Sequence, residues 1–327
     1  WGAGVYDLSF GGDIYDALAY ASIRGAEIHT TAGVNISSTK TTFSEFSDNN
    51  TGGLYVDSGS SVTLLSVSAI GNYGTGISVY APNVNVILGN NHAARVSFFF
   101  NNKFDGVMIN SGGTITLNNR LWASGNGGQG FYLNNDTALT PKAITIRGIT
   151  ANGNTLTGIN ASSDSTITLM NVSASYNGTN GTYLQTLGNV AVSGSNIFTG
   201  NNDTGLYIYT SGATSISGVL AEYNGLKGLH VQSLVAGKTV LVKSSVLRFN
   251  GDTGLEINAL GTITLDGVQS LLNTGSGMEL NQNNVQVLIK NSVMMGNSEN
   301  GLRVQNGYYS LINCLYFGNG AQNLFLY

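Results

Sequence analysis

Charge is scarce in this chain: of 327 residues only 13 are Lys or Arg and 17 are Asp or Glu, 9% together, against roughly a quarter in ordinary soluble domains. With a formal net charge of −4 and no basic run, the sequence lacks the footprint of a nucleic-acid partner or of an anionic-membrane binder. The single cysteine, Cys314, excludes an intrachain disulfide. It falls in the predicted strand 311–315 and reads as a small buried hydrophobe. The two prolines, Pro82 and Pro141, stand where the spacing described below lengthens. No apolar run approaches the roughly 18 residues of a membrane span. The start at Trp1, without Met, leads us to expect a processed or excised chain.

What the chain has instead is a repeat: an Asn, three residues, a Gly, then a short apolar strand. The Asn positions are Asn49, Asn72, Asn102, Asn126, Asn154, Asn177, Asn201, Asn224, Asn250, Asn273, Asn297 and Asn319. Each is followed four residues later by Gly, except that Asn323 stands at the last such position. Self-similarity at this period marks a solenoid. After each Gly the first and third residues are apolar, Thr182 excepted, as in Leu54/Val56, Leu206/Ile208 and Leu255/Ile257, which is strand alternation. A second strand follows, as in Thr114-Ile115-Thr116-Leu117, and a third short stretch leads back to the next Asn.

Three strands per turn predict an all-β, right-handed parallel β-helix of about 12–13 coils, a rod of about 60 Å at one strand spacing per coil. Residues 1–32 form an entry or cap segment, with a short helix expected over residues 13–23 on the spacing of Ile14, Leu18 and Ala21. Residues 33–327 form the coil. The Asn side chains stack coil on coil, both donating and accepting; Asn also tolerates the left-handed backbone conformation, and Gly bends the chain into the next strand.

With its Asn ladder, the chain resembles the right-handed parallel β-helix repeat proteins of the pectin-lyase-like superfamily, over roughly residues 30–327. The resemblance implies a three-sheet coil and, for some members, secreted carbohydrate-active enzymes. The catalytic sets of the polygalacturonases and the calcium aspartates of the pectate lyases are absent from this sequence. Its Asn/Gly/Thr-rich style is more similar to repetitive bacterial cell-surface β-helix proteins.

Candidate sites must appear as patches across neighbouring coils. The outward column two residues after the anchor contains Tyr132, Tyr183 and Tyr207, candidates for stacking on sugar rings. It also contains Glu256 and Glu279, whose carboxylates would lie about 5 Å apart, a retaining-glycosidase separation. Against catalysis stands a compensated ladder in which His230 and Arg303 flank these acids on a flat solvated face. Asp203, Asp252 and Glu299 occupy turns of alternate coils, about 10 Å apart and too far for one calcium ion. His29, His92 and His230 fall in distant coils, so no metal site and no cofactor are expected.

Longer spacings place loops carrying Asn90, Asn91, His92 and Arg95 in one coil and Asn135, Asp136 and Thr137 in another; these are binding-loop candidates or plain spacers. Eight sequons occur, at Asn35, Asn49, Asn135, Asn160, Asn171, Asn177, Asn180 and Asn202, about the number this composition gives by chance. The chain stops on Leu324, Phe325, Leu326 and Tyr327, a strand in repeat register. It is expected to pair with another molecule end to end.

The reading is therefore an extracellular or cell-surface structural protein that assembles into a filament and is not an enzyme. A carbohydrate-binding adhesin is one alternative, and a polysaccharide lyase, hydrolase or epimerase is the other.

Overall fold

The computed structural model describes residues 12–15, 18–20, 25–38, 44–91, 95–136 and 140–326. The chain divides into two compact units, Trp1–Ser165 and Thr166–Tyr327, and among the described residues each is built only of strands and turns. Among the described residues the strands pair in parallel, each with its counterpart one coil on. The fold is an all-β parallel solenoid of about 12 turns.

In the first unit the strands after the ladder are Ala26–Thr30, Leu54–Ser58, Ile77–Ala81, Val107–Ser111, Phe131–Asn134 and Ile159–Ser163. Their registers match the repeat, for example Leu54↔Ile77↔Val107↔Phe131↔Ile159. The inward residues of this strand are buried, and so are those of the second, including Leu64, Leu88, Leu117 and Ile146. The third strand inserts Ala69, Phe99, Ala123 and Ala151. Phe99 meets Phe131 edge to face at 6.0 Å. Each fully buried Leu, Ile or Phe contributes about 1.5–3 kcal/mol over an exposed one.

The second unit repeats the plan with Thr182–Thr186, Leu206–Thr210, Leu229–Ser233, Leu255–Ala259, Met278–Lys290, Leu302–Ile312 and Leu324–Leu326. Leu184, Ile208, Val231, Ile257, Leu280 and Val304 form its inner column.

The ladder is present in both units. In the first, Asn49, Asn72, Asn102 and Asn126 each direct Nδ2 to the Oδ1 of the Asn one coil on, at 2.8–3.0 Å. In the second, the same bond runs from Asn177 through Asn201, Asn224, Asn250, Asn273 and Asn297 to Asn319. The second Nδ2 hydrogen goes to a main-chain carbonyl, as from Asn102 to Ala69 and from Asn224 to Phe198. Each Oδ1 also accepts the backbone N–H of the preceding Asn, as Asn126 does from Asn102. A buried amide is thereby satisfied on all its groups. At Asn319 the partner is Asn323, four residues on, at 2.9 Å.

Three details differ from expectation. The left-handed residue is the one before each ladder Asn, not the Asn itself: Asp48 and Asn101 in the first unit, Tyr176, Tyr223, Phe249 and Leu272 in the second, with Gly at the others. The anchoring Gly is required by close approach rather than by bending. A Cβ on Gly76 would lie 2.5 Å from the Gly106 carbonyl and 2.8 Å from Asn102 Nδ2, and Gly228 meets the next coil in the same way. The described parts of the entry segment are strands, Gly12–Tyr15 and Leu18–Tyr20, pairing with Val34–Ser37 and Ser44–Ser47. Parallel pairing with a waiting coil overrides a weak helical spacing, and no helix forms over residues 13–15 or 18–20. Residues 16–17 and 21–23 of that expected helix lie outside the described residues.

Hydroxyls also serve the next corner, in the first unit on alternate coils with Ala81 standing between Ser58 and Ser111. Ser58, Ser111 and Ser163 in the first unit and Thr210 and Ser233 in the second donate Oγ to a carbonyl of the preceding coil. Cys314 lies between Leu302–Ile312 and Leu315–Phe317, half-buried, with its thiol directed at the Ile289 and Ile312 carbonyls. It holds a corner place that Ser245 and Ser292 hold in earlier coils, where the hydroxyl bonds a carbonyl two residues back. The sequence reading placed it inside a strand.

Candidate functional site

The outward column of the ladder strands in the second unit runs Tyr183↔Tyr207↔His230↔Glu256↔Glu279↔Arg303↔Phe325. Tyr183 meets Tyr207 edge to face at 5.2 Å, and Tyr207 stacks on His230 at 4.5 Å with an interplanar angle of 15°. The expected pair of tyrosines is therefore joined by a third ring. Tyr132, the other candidate, belongs to the first unit, where Met108 and Asn160 flank it.

Glu256 and Glu279 are neighbours in register, as the spacing requires. They are not on a solvated face; both side chains are 15% exposed. Lys227 Nζ lies 3.0 Å from Glu256 and 3.8 Å from Asp252, while Arg303 is 3.7 Å from Glu279. The cation that compensates Glu256 is Lys227, which the sequence reading missed. It sits one residue before an anchoring Gly, outside the column that was read.

Burial alone would raise the Glu256 carboxyl, but hydrogen bonds from Asn258 (2.8 Å) and Lys227 outweigh it and hold the group below its ordinary value. His230 is lowered, chiefly by burial, which overcomes the attraction of Glu256 at 3.6 Å. The Asn258 amide lies 3.2 Å from His230 Nε2. As a donor there it leaves the ring proton on Nδ1. The next outward column is rich in amides, Gln232↔Asn258↔Asn281↔Gln305, with Asn281 donating to Asn258 at 2.9 Å. Beside it lies a hollow of about 230 Å³ lined by Leu234, Asn258, Leu260, Asn281, Gln305 and Asn306.

A different histidine cluster stands on the ladder strands of the first unit. His29 Nε2 contacts Glu27 at 3.0 Å and Nδ1 contacts Asp57 at 3.4 Å, with Tyr55 packed at 5.4 Å. Cavities of about 330 and 510 Å³ flank it, the first lined by Glu27, Tyr55 and Ser78, the second by His29, Asp57 and Pro82. The hydrogen bond to Glu27, reinforced by Asp57, raises the His29 pKa. From the sequence His29 is set aside because His29, His92 and His230 fall in distant coils, whereas its partners Glu27 and Asp57 lie two residues and one coil away.

The inserted loops are used internally. Asn90 donates to the Arg95 carbonyl, and Asn90 and Asn91 both accept from Ser66. Asn135 is fully buried and bonds the Gly113 and Lys142 carbonyls, which removes it as an accessible sequon. Asn49 and Asn177 are likewise buried. His92, Thr137 and Tyr327 lie outside the described residues. Leu324, Phe325 and Leu326 pair with Leu302, Arg303 and Val304 and are half-buried. Among the described residues no group of three or more His, Cys, Asp or Glu could hold a metal ion. Among the described residues no helix is long and apolar enough to cross a membrane.

The family model of the right handed beta helix region matches residues 90–233 and 194–327. Together these matches cover more than two thirds of the chain, which therefore belongs to this family. Among solved structures the chain is similar to the A-module of the Azotobacter vinelandii mannuronan C-5 epimerase AlgE6. The identity is 15% and the TM-score 0.53, covering 96% of this chain and 88% of that one. The A-module of AlgE4 from the same organism gives 16% identity and a TM-score of 0.49, covering 100% and 89%. At this identity the likeness is one of fold. Comparison with curated proteins gives no match.

Proposed function

We propose that this protein is an extracellular β-helix scaffold that holds a polysaccharide on the outward face of its ladder strands, without chemical turnover. One observation carries the reading: the contiguous Tyr183–Tyr207–His230 ring stack runs in register into Glu256 and the amide column of Asn258 and Asn281. Aromatic faces supply apolar contact to a sugar ring, and carboxylate and amide groups fix its hydroxyls. Successive coils offer these groups about every 4.8 Å, close to the advance of one pyranose along an extended chain. Low charge and many polar uncharged residues suit an exposed scaffold. Binding to a glycan array is expected for the intact protein and is lost in Tyr207→Ala. Retention of the full profile in that variant removes the assignment.

A second reading, proton transfer at a uronic sugar, is favoured by one observation: His230 is held neutral beside Tyr207, in a chain with the fold of a mannuronan C-5 epimerase. Incubation with polymannuronate in deuterated water tests it. Deuterium at C5 that disappears in His230→Gln supports this reading, and no incorporation by the intact protein removes it.

A further inference from the structure

Scattered arginines of the first unit are gathered by the coil at one corner. Residues 95–147 carry Arg95, Lys103, Arg120, Lys142 and Arg147 against only Asp105 and Asp136, a positive stretch in an acidic chain. Arg95 stands two residues before Ser97 and Arg120 one before Leu121, the register partner of Ser97, while Arg147, one coil on, pairs with Asn118 and stands two residues before Ile149, the partner of Leu121. Gly148 lies directly against the Asn119–Arg120 backbone, which keeps these corners adjacent. Arg120 and Arg147 are exposed, and neither has an ion-pair partner among the described residues.

The third strands that follow present an aromatic shelf. Phe98 and Phe100 are 4.9 Å apart, and Trp122, 38% exposed, meets Phe98 at 6.2 Å and Phe100 edge to face at 5.3 Å. All three point outward, so none contributes to the core. Thr150, beside Trp122, and Ser124, beside Phe100, border the shelf on one side; on the other, Phe98 adjoins buried Ser68 and Phe100 adjoins Ile70.

The geometry points to a binding surface for an anionic polysaccharide, uronic or sulfated: Phe98, Phe100 and Trp122 carry the sugar rings while Arg120 and Arg147 take the acid groups. This surface is separate from the Tyr207 face and does not depend on it. Arg120 and Arg147 stand exposed on neighbouring coils, so two successive acid groups of an extended glycan can be met in turn, and the guanidinium fork suits carboxylate or sulfate. Three rings in mutual contact, two of them half-buried, form a platform. They do not protrude as an intercalating or membrane-inserting wedge does, which favours a glycan over a nucleic acid or a bilayer.

The test is calorimetric titration of the whole chain with a uronic or sulfated oligosaccharide and with a neutral oligomer of equal length, at low and high salt. The expected result is salt-sensitive binding of the anionic oligomer alone. It should fall roughly tenfold or more in the Arg120→Gln/Arg147→Gln double variant, the loss of charge-assisted bonds, and in Trp122→Ala, and be unchanged in Tyr207→Ala. Circular dichroism of each variant confirms that the fold is kept. Equal binding of neutral and anionic oligomers, or unchanged binding in the double variant, overturns the proposal. So does tighter binding of single-stranded DNA or of anionic vesicles than of the glycan. Loss in Tyr207→Ala alone returns the binding to the other face.

Discussion

His29 and His230 both point outward from ladder strands, each in its own unit, yet their environments are opposite. His29 is half exposed and clasped by two carboxylates, which favour its charged form. His230 is nearly buried, stacked on Tyr207 and bonded by an amide, which favours its neutral form. Neither state can be read from the flanking sequence. In a solenoid the groups that tune a side chain come from the coils above and below, a full turn away in the chain.

The comparison breaks most severely through the ladder. Asn224→Ala, just before the strand that carries His230, orphans the Asn201 amide and the Phe198 carbonyl and should cost about 3 kcal/mol, measured by urea unfolding. Asn49→Ala, before the strand of Tyr55 and Asp57, should cost a similar amount. By proton NMR, Asn224→Ala should also move His230 towards ordinary titration, while Asn49→Ala leaves exposed His29 nearly in place.

Next in size is Glu256→Gln. Lys227 loses its opposite charge and one of the two acceptor oxygens it and Asn258 use is replaced by a donor, so stability should fall by about 1–2 kcal/mol at low salt. Glu27→Gln, at a more open site, should change stability by under about 0.5 kcal/mol but return His29 towards its ordinary pKa. Tyr207→Leu keeps an apolar side chain but removes the ring pair. It should cost about 1 kcal/mol and shift the His230 ring resonances.

The smallest effect is in pH dependence, where the two histidines have opposite signs. The folded pKa of His29 is raised, so its contribution is full below the ordinary value of about 6.5 and is lost as the pH climbs through the raised value. The folded pKa of His230 is lowered, so its contribution is full above about 6.5 and is lost as the pH falls towards the lowered value. Unfolding curves of His29→Gln and His230→Gln should diverge from the parent on opposite sides of that point. Divergence on the same side would show that the two environments are not as different as the geometry makes them.

The columns of Leu54, Leu206 and Leu255, the Asn ladder and the adjacency of Glu256 with Glu279 were legible in the sequence, because each depends only on the repeat and a period of two. Features that depend on coil length were not. Lys227 reaches Glu256 across a whole coil of intervening residues, and Arg120 and Arg147 come near one corner only because strands of unequal register bring Gly148 against the Asn119–Arg120 backbone. The corner bonds of Ser58, Ser111 and Ser163 to main-chain carbonyls were hidden by ordinary serines elsewhere. The left-handed corner was assigned to the wrong residue because Asn tolerates that conformation, whereas Tyr223 and Phe249, which adopt it, rarely do. The helix expected near Ile14 and Leu18 shows the limit of apolar spacing in short segments, which fits either periodicity.

Every ladder amide in each unit faces the same way, nitrogen towards the higher-numbered neighbour and oxygen back towards the lower. Turning one amide over would set oxygen against oxygen on one side and nitrogen against nitrogen on the other, so orientation is shared along a run and cannot be reversed singly. The ladder thus acts as a one-way zipper. It is indifferent to how many residues loop out between its teeth, since partners 22 to 30 residues apart bond equally well, and strict about direction. A gene encoding it can gain or lose whole turns, or lengthen any loop, provided each new turn arrives with its asparagine pointing the same way.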